Sequence, residues 1–134
     1  MLRSNRTERN SEGRLKRIPL ASSSRISITV DHSGSDALVR LNGRIDVDSS
    51  PDLRDCLSAI LSDGPLPHAI TVDLAEVSYI ETSGIATLVE ALRIARHRQI
   101  TFCLQGLGGS VLRLFEVTGL LALFEVNDRG QKVS

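Results

Sequence analysis

Thr82, Ser83 and Gly84 are the residues of this 134-residue chain best placed to do chemistry. Two hydroxyls and a glycine stand where a strand pattern gives way to a helix pattern. A helix start leaves its first backbone N–H groups without intrahelical acceptors. Ser and Thr oxygens can accept from those groups as N-caps. The same N–H groups, with the positive end of the helix dipole, also favour an added phosphate. Spacing alone therefore leaves two readings open, a structural cap and a regulatory phosphorylation site.

The flanking stretches must position these hydroxyls. Ala69 to Leu74 is a short apolar, β-branched run and predicts a buried strand. Ile85, Leu88, Val89, Leu92 and Ala95 or Arg96 recur at the spacing of one helical face, which predicts a helix from about 83 to 97. Arg93, Arg96, His97 and Arg98 complement the negative end of that helix.

Elsewhere, Ile26 to Asp31 alternates as a half-buried strand does. His32 to Asp36 is a turn, and Ala37 to Leu41 a second strand, giving a β-hairpin. Ser49 or Ser50 can cap a helix with Pro51 in its first turn and Leu53, Cys56, Leu57, Ile60 and Leu61 as its apolar stripe. The run from Asp63 to Pro67 ends it. Ile100 to Gln105 predicts a further strand. Gly106 to Ser110 follows as a loop with Ser110 a candidate cap. Val111, Leu114, Phe115 and Thr118 mark a third helix, closed by Gly119 in the left-handed region. Leu120 to Leu123 predicts a helical turn and Phe124 to Val126 a last strand. Strand–helix alternation implies parallel pairing through right-handed crossovers. The expected fold is α/β: a mixed, mostly parallel sheet of roughly four or five strands, opened by a hairpin, with three or four helices.

Composition narrows the function. Apolar residues make up 41% of the chain and aromatic ones 3%, so the core must be aliphatic and a base-stacking surface is disfavoured. Residues 1–25 hold seven basic and two acidic residues, a net +5. The remainder holds nine and fourteen, a net −5. An acidic body is a poor binder of nucleic-acid backbones. The segment 1–25 reads as a disordered basic tail, 26–127 as the domain and 128–134 as a C-terminal tail.

Cys56 and Cys103 sit 47 positions apart in apolar settings and read as buried free thiols of a reducing cytoplasm. His32, His68 and His97 are scattered, so no metal site is expected. No run approaches the ~20 apolar residues of a membrane span. Gly106 to Gly109 lacks the Lys-Ser/Thr of a phosphate loop, and no nucleophile–base pair is visible. No enzyme activity and no cofactor are expected.

The stretch DLAEVSYIETSGIATL at 73–88 resembles the signature of the STAS domain, the module of bacterial anti-sigma factor antagonists. Three further pieces agree in order: LNGRID at 41–46, PDLR at 51–54 and FEVTGL at 115–120. The resemblance spans about residues 26–127. It implies a single STAS domain that regulates transcription by protein–protein interaction. In antagonists of this family the motif is typically Asp-Ser-Ser/Thr-Gly, and its first hydroxyl is phosphorylated by an anti-sigma factor that is itself a kinase using ATP. Unphosphorylated antagonist binds that partner and frees the sigma factor.

Carried over by position, the resemblance makes Thr82 the acceptor, with Ser83 less favoured, and Gly84 the close-approach glycine. Asp46, Asp48, Glu81, Thr82, Ser83 and Gly84 become the partner-binding set. Glu81 stands where Asp is usual and reaches one methylene further. The resemblance also leaves room for a non-switching STAS scaffold, either a stressosome-like component or a subunit of a lipid-transport complex. A monomer or weak dimer is expected.

Overall fold

The computed structural model describes residues 26–127; the expected tails at 1–25 and 128–134 lie outside them. Strand β1 (Ile26–Ser33) pairs antiparallel with β2 (Asp36–Ile45). Then follow α1 (Ser50–Ser62), β3 (Ala69–Ile80), α2 (Thr82–His97), β4 (Thr101–Gln105), α3 (Gly109–Thr118), a 3₁₀ turn (Leu120–Leu123) and β5 (Glu125–Asn127). The sheet runs β1-β2-β3-β4-β5, with every pairing after the hairpin parallel. Successive right-handed crossovers in one direction put the helices on one face.

The burial pattern agrees with that arrangement. Val39, Leu41, Ile70, Val72, Phe102 and Leu104 point into the core with Leu53, Leu57, Leu61, Leu88 and Leu92 of the first two helices. Their strand neighbours Leu38, Thr71 and Asp73 stay half-exposed on the other face. The largest fully buried side chain is Phe115 of α3, which meets Phe124 edge-on at 5.8 Å. Gly119 ends α3 at φ 75, the left-handed stop that its sequence predicts.

Several expectations need correction. Strand β2 runs to Ile45 rather than Leu41, and β3 to Ile80 rather than Leu74. Their pairing shifts register between Arg40 and Asn42 and again between Gly43 and Arg44, where Gly43 takes φ 118. Such bulges admit an extra residue and break strict alternation. The buried residues of β3 accordingly pass from Ile70, Val72 and Leu74 to Val77 and Ile80.

Ser110 is not a cap: α3 starts one residue earlier, behind Gly108, with no side-chain cap. Both cysteines are half-buried residues rather than buried ones. The Cys56 thiol is nonetheless enclosed, and desolvation, reinforced by Asp55, pushes its pKa up to about 12. No helix among the described residues is long and apolar enough to cross a membrane, and no His, Cys, Asp and Glu cluster among them could hold a metal.

Candidate functional site

The parallel strands β2 and β3 finish together, with Ile45 opposite Ile80 and the Glu81 N–H donating to the Ile45 carbonyl at 2.9 Å. From this end α1 and α2 both begin. Clefts outside the carboxyl ends of parallel strands are the usual binding locus of open α/β sheets. Here the two helix starts are drawn together until hydroxyls touch.

Helix α2 begins one residue earlier than its apolar stripe indicates. Glu81 takes the N-cap position in extended backbone, and Thr82, Ser83 and Gly84 form the first turn. The capping expectation for Thr82 and Ser83 therefore fails. Neither is the N-cap, and no side chain caps this helix. The Glu81 carbonyl accepts from the N–H groups of Gly84 at 2.9 Å and Ile85 at 3.2 Å. The N–H groups of Thr82 and Ser83 lie ahead of the first intrahelical acceptor.

Gly84 is required by packing. A Cβ there would stand 2.5 Å from Ile45 Cγ2 and 2.9 Å from Ile80 Cγ1. Its absence lets α2 settle directly on the strand ends and fixes where the two preceding hydroxyls emerge.

Asp46 and Ser49 build the other helix start. Asp46 is 9% exposed, and its Oδ1 accepts from the N–H groups of Asp48 at 3.0 Å and Ser49 at 3.1 Å. Ser49 occupies the N-cap of α1, as expected, but its hydroxyl points backwards. It accepts from the Asp46 N–H at 2.9 Å and donates to the Arg44 carbonyl at 2.8 Å. Asp46 is thus the buried frame of the turn, whereas Asp48 is exposed.

The two starts meet through Ser50, whose Oγ lies 2.7 Å from the Asp46 carbonyl oxygen and 3.1 Å from Ser83 Oγ. A hydroxyl has one proton. The carbonyl accepts only, so the Ser50 proton goes there, and Ser83 must donate to Ser50. Ser83 is half-buried and engaged. Thr82 is exposed, and its hydroxyl makes no hydrogen bond among the described residues.

Sequence reasoning missed a second cluster beside the hydroxyls. The Tyr79 hydroxyl donates to Glu81 Oε2 at 3.2 Å, and the Arg44 guanidinium lies 4.2 Å above the Tyr79 ring. The hydrogen bond to Glu81 and that residue's charge hold the phenol's pKa above its ordinary value. Asp46 adds to the rise and Arg44 opposes it. Tyr79 lies two residues before Glu81 at the end of a strand, on the same side, and that spacing was the signal available.

The family model described as Mlab, STAS domain matches residues 28–125. This chain belongs to the STAS domain family. It is 31% identical over 105 residues to an anti-sigma-B factor antagonist of Listeria monocytogenes, covering 77% of this chain and 90% of that protein. Among solved structures, the anti-sigma factor antagonist SpoIIAA in its unphosphorylated form is similar with a TM-score of 0.67 and 17% identity. That match covers 78% of this chain and 90% of SpoIIAA. The phosphorylated form of the Bacillus cell fate determinant SpoIIAA gives 0.62 and 16%, covering 78% and 93%. The STAS fold contains the parallel strand ends on which Thr82 sits.

Proposed function

We propose that this STAS domain is an anti-sigma factor antagonist. It binds a kinase-type anti-sigma factor in the cytoplasm and is released when that partner phosphorylates Thr82. The role is supported by the anti-sigma-B factor antagonist of Listeria monocytogenes, nearly all of whose length this chain matches. The choice of acceptor rests on one observation: of the two adjacent hydroxyls, that of Ser83 is spent on Ser50 and that of Thr82 is exposed and unengaged. The existence of a phosphorylated form of SpoIIAA is consistent with such a switch.

The partner supplies ATP, magnesium and a general base. Thr82 Oγ1 attacks the γ-phosphorus, its proton passes to that base, the bond from the γ-phosphorus to the β-bridging oxygen breaks and ADP leaves. The product carries about −1.5 to −2 charge at pH 7. The N-terminus of α2 tolerates this charge locally. Across an interface that also carries Asp48 and Glu81, the same charge repels acidic groups and resists desolvation. A loss of about 2.7 kcal/mol, a hundredfold in affinity, is the scale expected.

In this reading the chain is a substrate and regulator, with catalysis on the partner, and Asp48, Glu81, Thr82 and Ser83 line the contact. Asp46 and Gly84 shape it from beneath. The test is to incubate the full chain with ATP and the kinase-type anti-sigma factors of its source and to weigh the intact protein. A gain of one phosphate, mapped to Thr82 and absent in Thr82→Ala, is the expected result. No gain with any partner overturns the switch and leaves a binding module that does not respond to phosphorylation.

A further inference from the structure

Glu81 stands at the N-cap position of α2, and its carboxylate does not turn back over the helix start. Its backbone has the extended conformation of an N-cap, φ −105 and ψ 173, yet no side chain caps α2. The positive helix end attracts a carboxylate placed there. The Tyr79 hydroxyl holds Glu81 Oε2 instead, at 3.2 Å, and Arg44 stacked at 4.2 Å fixes the ring that does so.

We infer that Tyr79 is a positioning residue for the switch: by holding the Glu81 carboxylate to the side, it keeps the first turn of α2 open for the phosphate on Thr82. The inference rests on Thr82 being the acceptor. It gives Glu81 a reason to be longer than the aspartate usual at its position. An Asp carboxylate is one methylene shorter and falls short of the phenol, so Glu81 and Tyr79 are matched to one another. Without the phenol, Glu81 swings onto the helix start. It then occupies the N–H groups the incoming phosphate needs and sets a like charge beside it.

The chain holds one tyrosine and no tryptophan, so phenol absorbance reports on Tyr79 alone. The charged groups facing it are Glu81, Arg44 and Asp46. In the full-length protein its titration midpoint should lie above the ordinary value of about 10. Glu81→Gln should bring the midpoint down towards that value.

With the partner kinase and ATP, Tyr79→Phe keeps the ring under Arg44 and removes only the hydroxyl. Its kcat for phosphorylation should fall about fivefold to tenfold, with KM for the antagonist within about twofold of wild type, because a cap and a phosphate compete for the same donors. Measured against Glu81→Gln alone, adding Tyr79→Phe should change kcat by less than about twofold, which a purely structural role of Tyr79 does not predict. A Tyr79→Phe protein phosphorylated as fast as wild type overturns the inference. So does a phenol midpoint that ignores Glu81→Gln, or a Tyr79→Phe loss of the same size in the Glu81→Gln background as in wild type. Wild-type protein that takes no phosphate from any partner instead sinks the acceptor reading, and this inference with it.

Discussion

The junction from β3 into α2 and the junction from β4 into α3 hold equivalent, neighbouring places in the fold and are built on opposite plans. Each follows a parallel strand and opens a helix without a side-chain cap. At the first, Glu81 alone separates strand from helix. Gly84 is wedged against Ile45 and Ile80, and Ser83 is bonded to the start of the neighbouring helix. At the second, residues 106–108 intervene. Gly106 leaves β4 pressed against β3, where a Cβ would stand 2.7 Å from the Ala75 N, but Gly108 and Gly109, which open the helix, face open space, and Ser110 is exposed. Both stretches are rich in small residues. Crowding of the helix's own first turn, rather than composition, distinguishes the one that presents a fixed hydroxyl.

The widest separation between the two should come from adding a methyl group to each. Gly84→Ala forces Ile45 or Ile80 to move, and both are buried. Overpacking of this kind costs about 1–3 kcal/mol, sometimes more, while alanine in a helix returns about 1 kcal/mol. At an approach of 2.5 Å the upper end of that range applies, so a net loss of about 2 kcal/mol in urea unfolding is expected, together with slower phosphorylation of the proposed acceptor Thr82. Gly108→Ala meets nothing within 4 Å and should stay within about 0.5 kcal/mol of wild type. Equal losses in the two variants would break the comparison.

The sequence carried the element order and the site's location more faithfully than the site's wiring. Helical stripes read through to buried faces because Leu53, Leu57 and Leu61, or Leu88 and Leu92, repeat at one period in one element. The far end of β3 breaks the pattern because the register shifts opposite Asn42 and Arg44 replace its alternation with a spacing of three, whereas β2 alternates through to Ile45 but carries Gly43 at the inward position. Those two ends, residues 42–45 and 75–80, are the ones that carry Arg44 and Tyr79 to the hydroxyls. Capping was misread for a related reason. Thr82 and Ser83 have the right side chains, but β3 runs straight into α2 and leaves the cap position to Glu81. The link from Ser50 to Ser83 spans 33 positions, and no local pattern reports a contact at that separation.

A carboxylate comparison comes next in size. Asp46 frames the α1 start from a buried position. Asp73 does similar work near the second junction, accepting from the Ala75 N–H at 2.9 Å and the Gln105 amide at 3.2 Å, with more solvent around it. Removing an acceptor strands buried donors, at a cost of about 1–3 kcal/mol, whereas donors that reach water lose less. Asp46→Ala should therefore lower stability by about 1.5 kcal/mol and Asp73→Ala by about 1 kcal/mol or less. Amide hydrogen exchange should place the first loss at the N–H of Asp48, because the Ser49 N–H keeps the Asp46 carbonyl at 3.2 Å.

The smallest expected effect tests the proton assignment at the centre of the site. Ser83→Ala removes one donor from Ser50 while Ser50 keeps its own proton on the Asp46 carbonyl oxygen. No buried donor is stranded, so the loss should be about 0.5–1 kcal/mol, the net worth of one ordinary hydrogen bond. Ser110→Ala, at the open junction, should change stability by a few tenths of a kcal/mol at most, within the range of exposed substitutions. Suppose instead that Ser83→Ala costs about as much as Asp46→Ala. Then the Ser50 proton points at Ser83, and the Ser83 proton is free for an incoming ligand. The two adjacent hydroxyls would no longer differ in availability, and the case for Thr82 over Ser83 would have to rest on exposure alone.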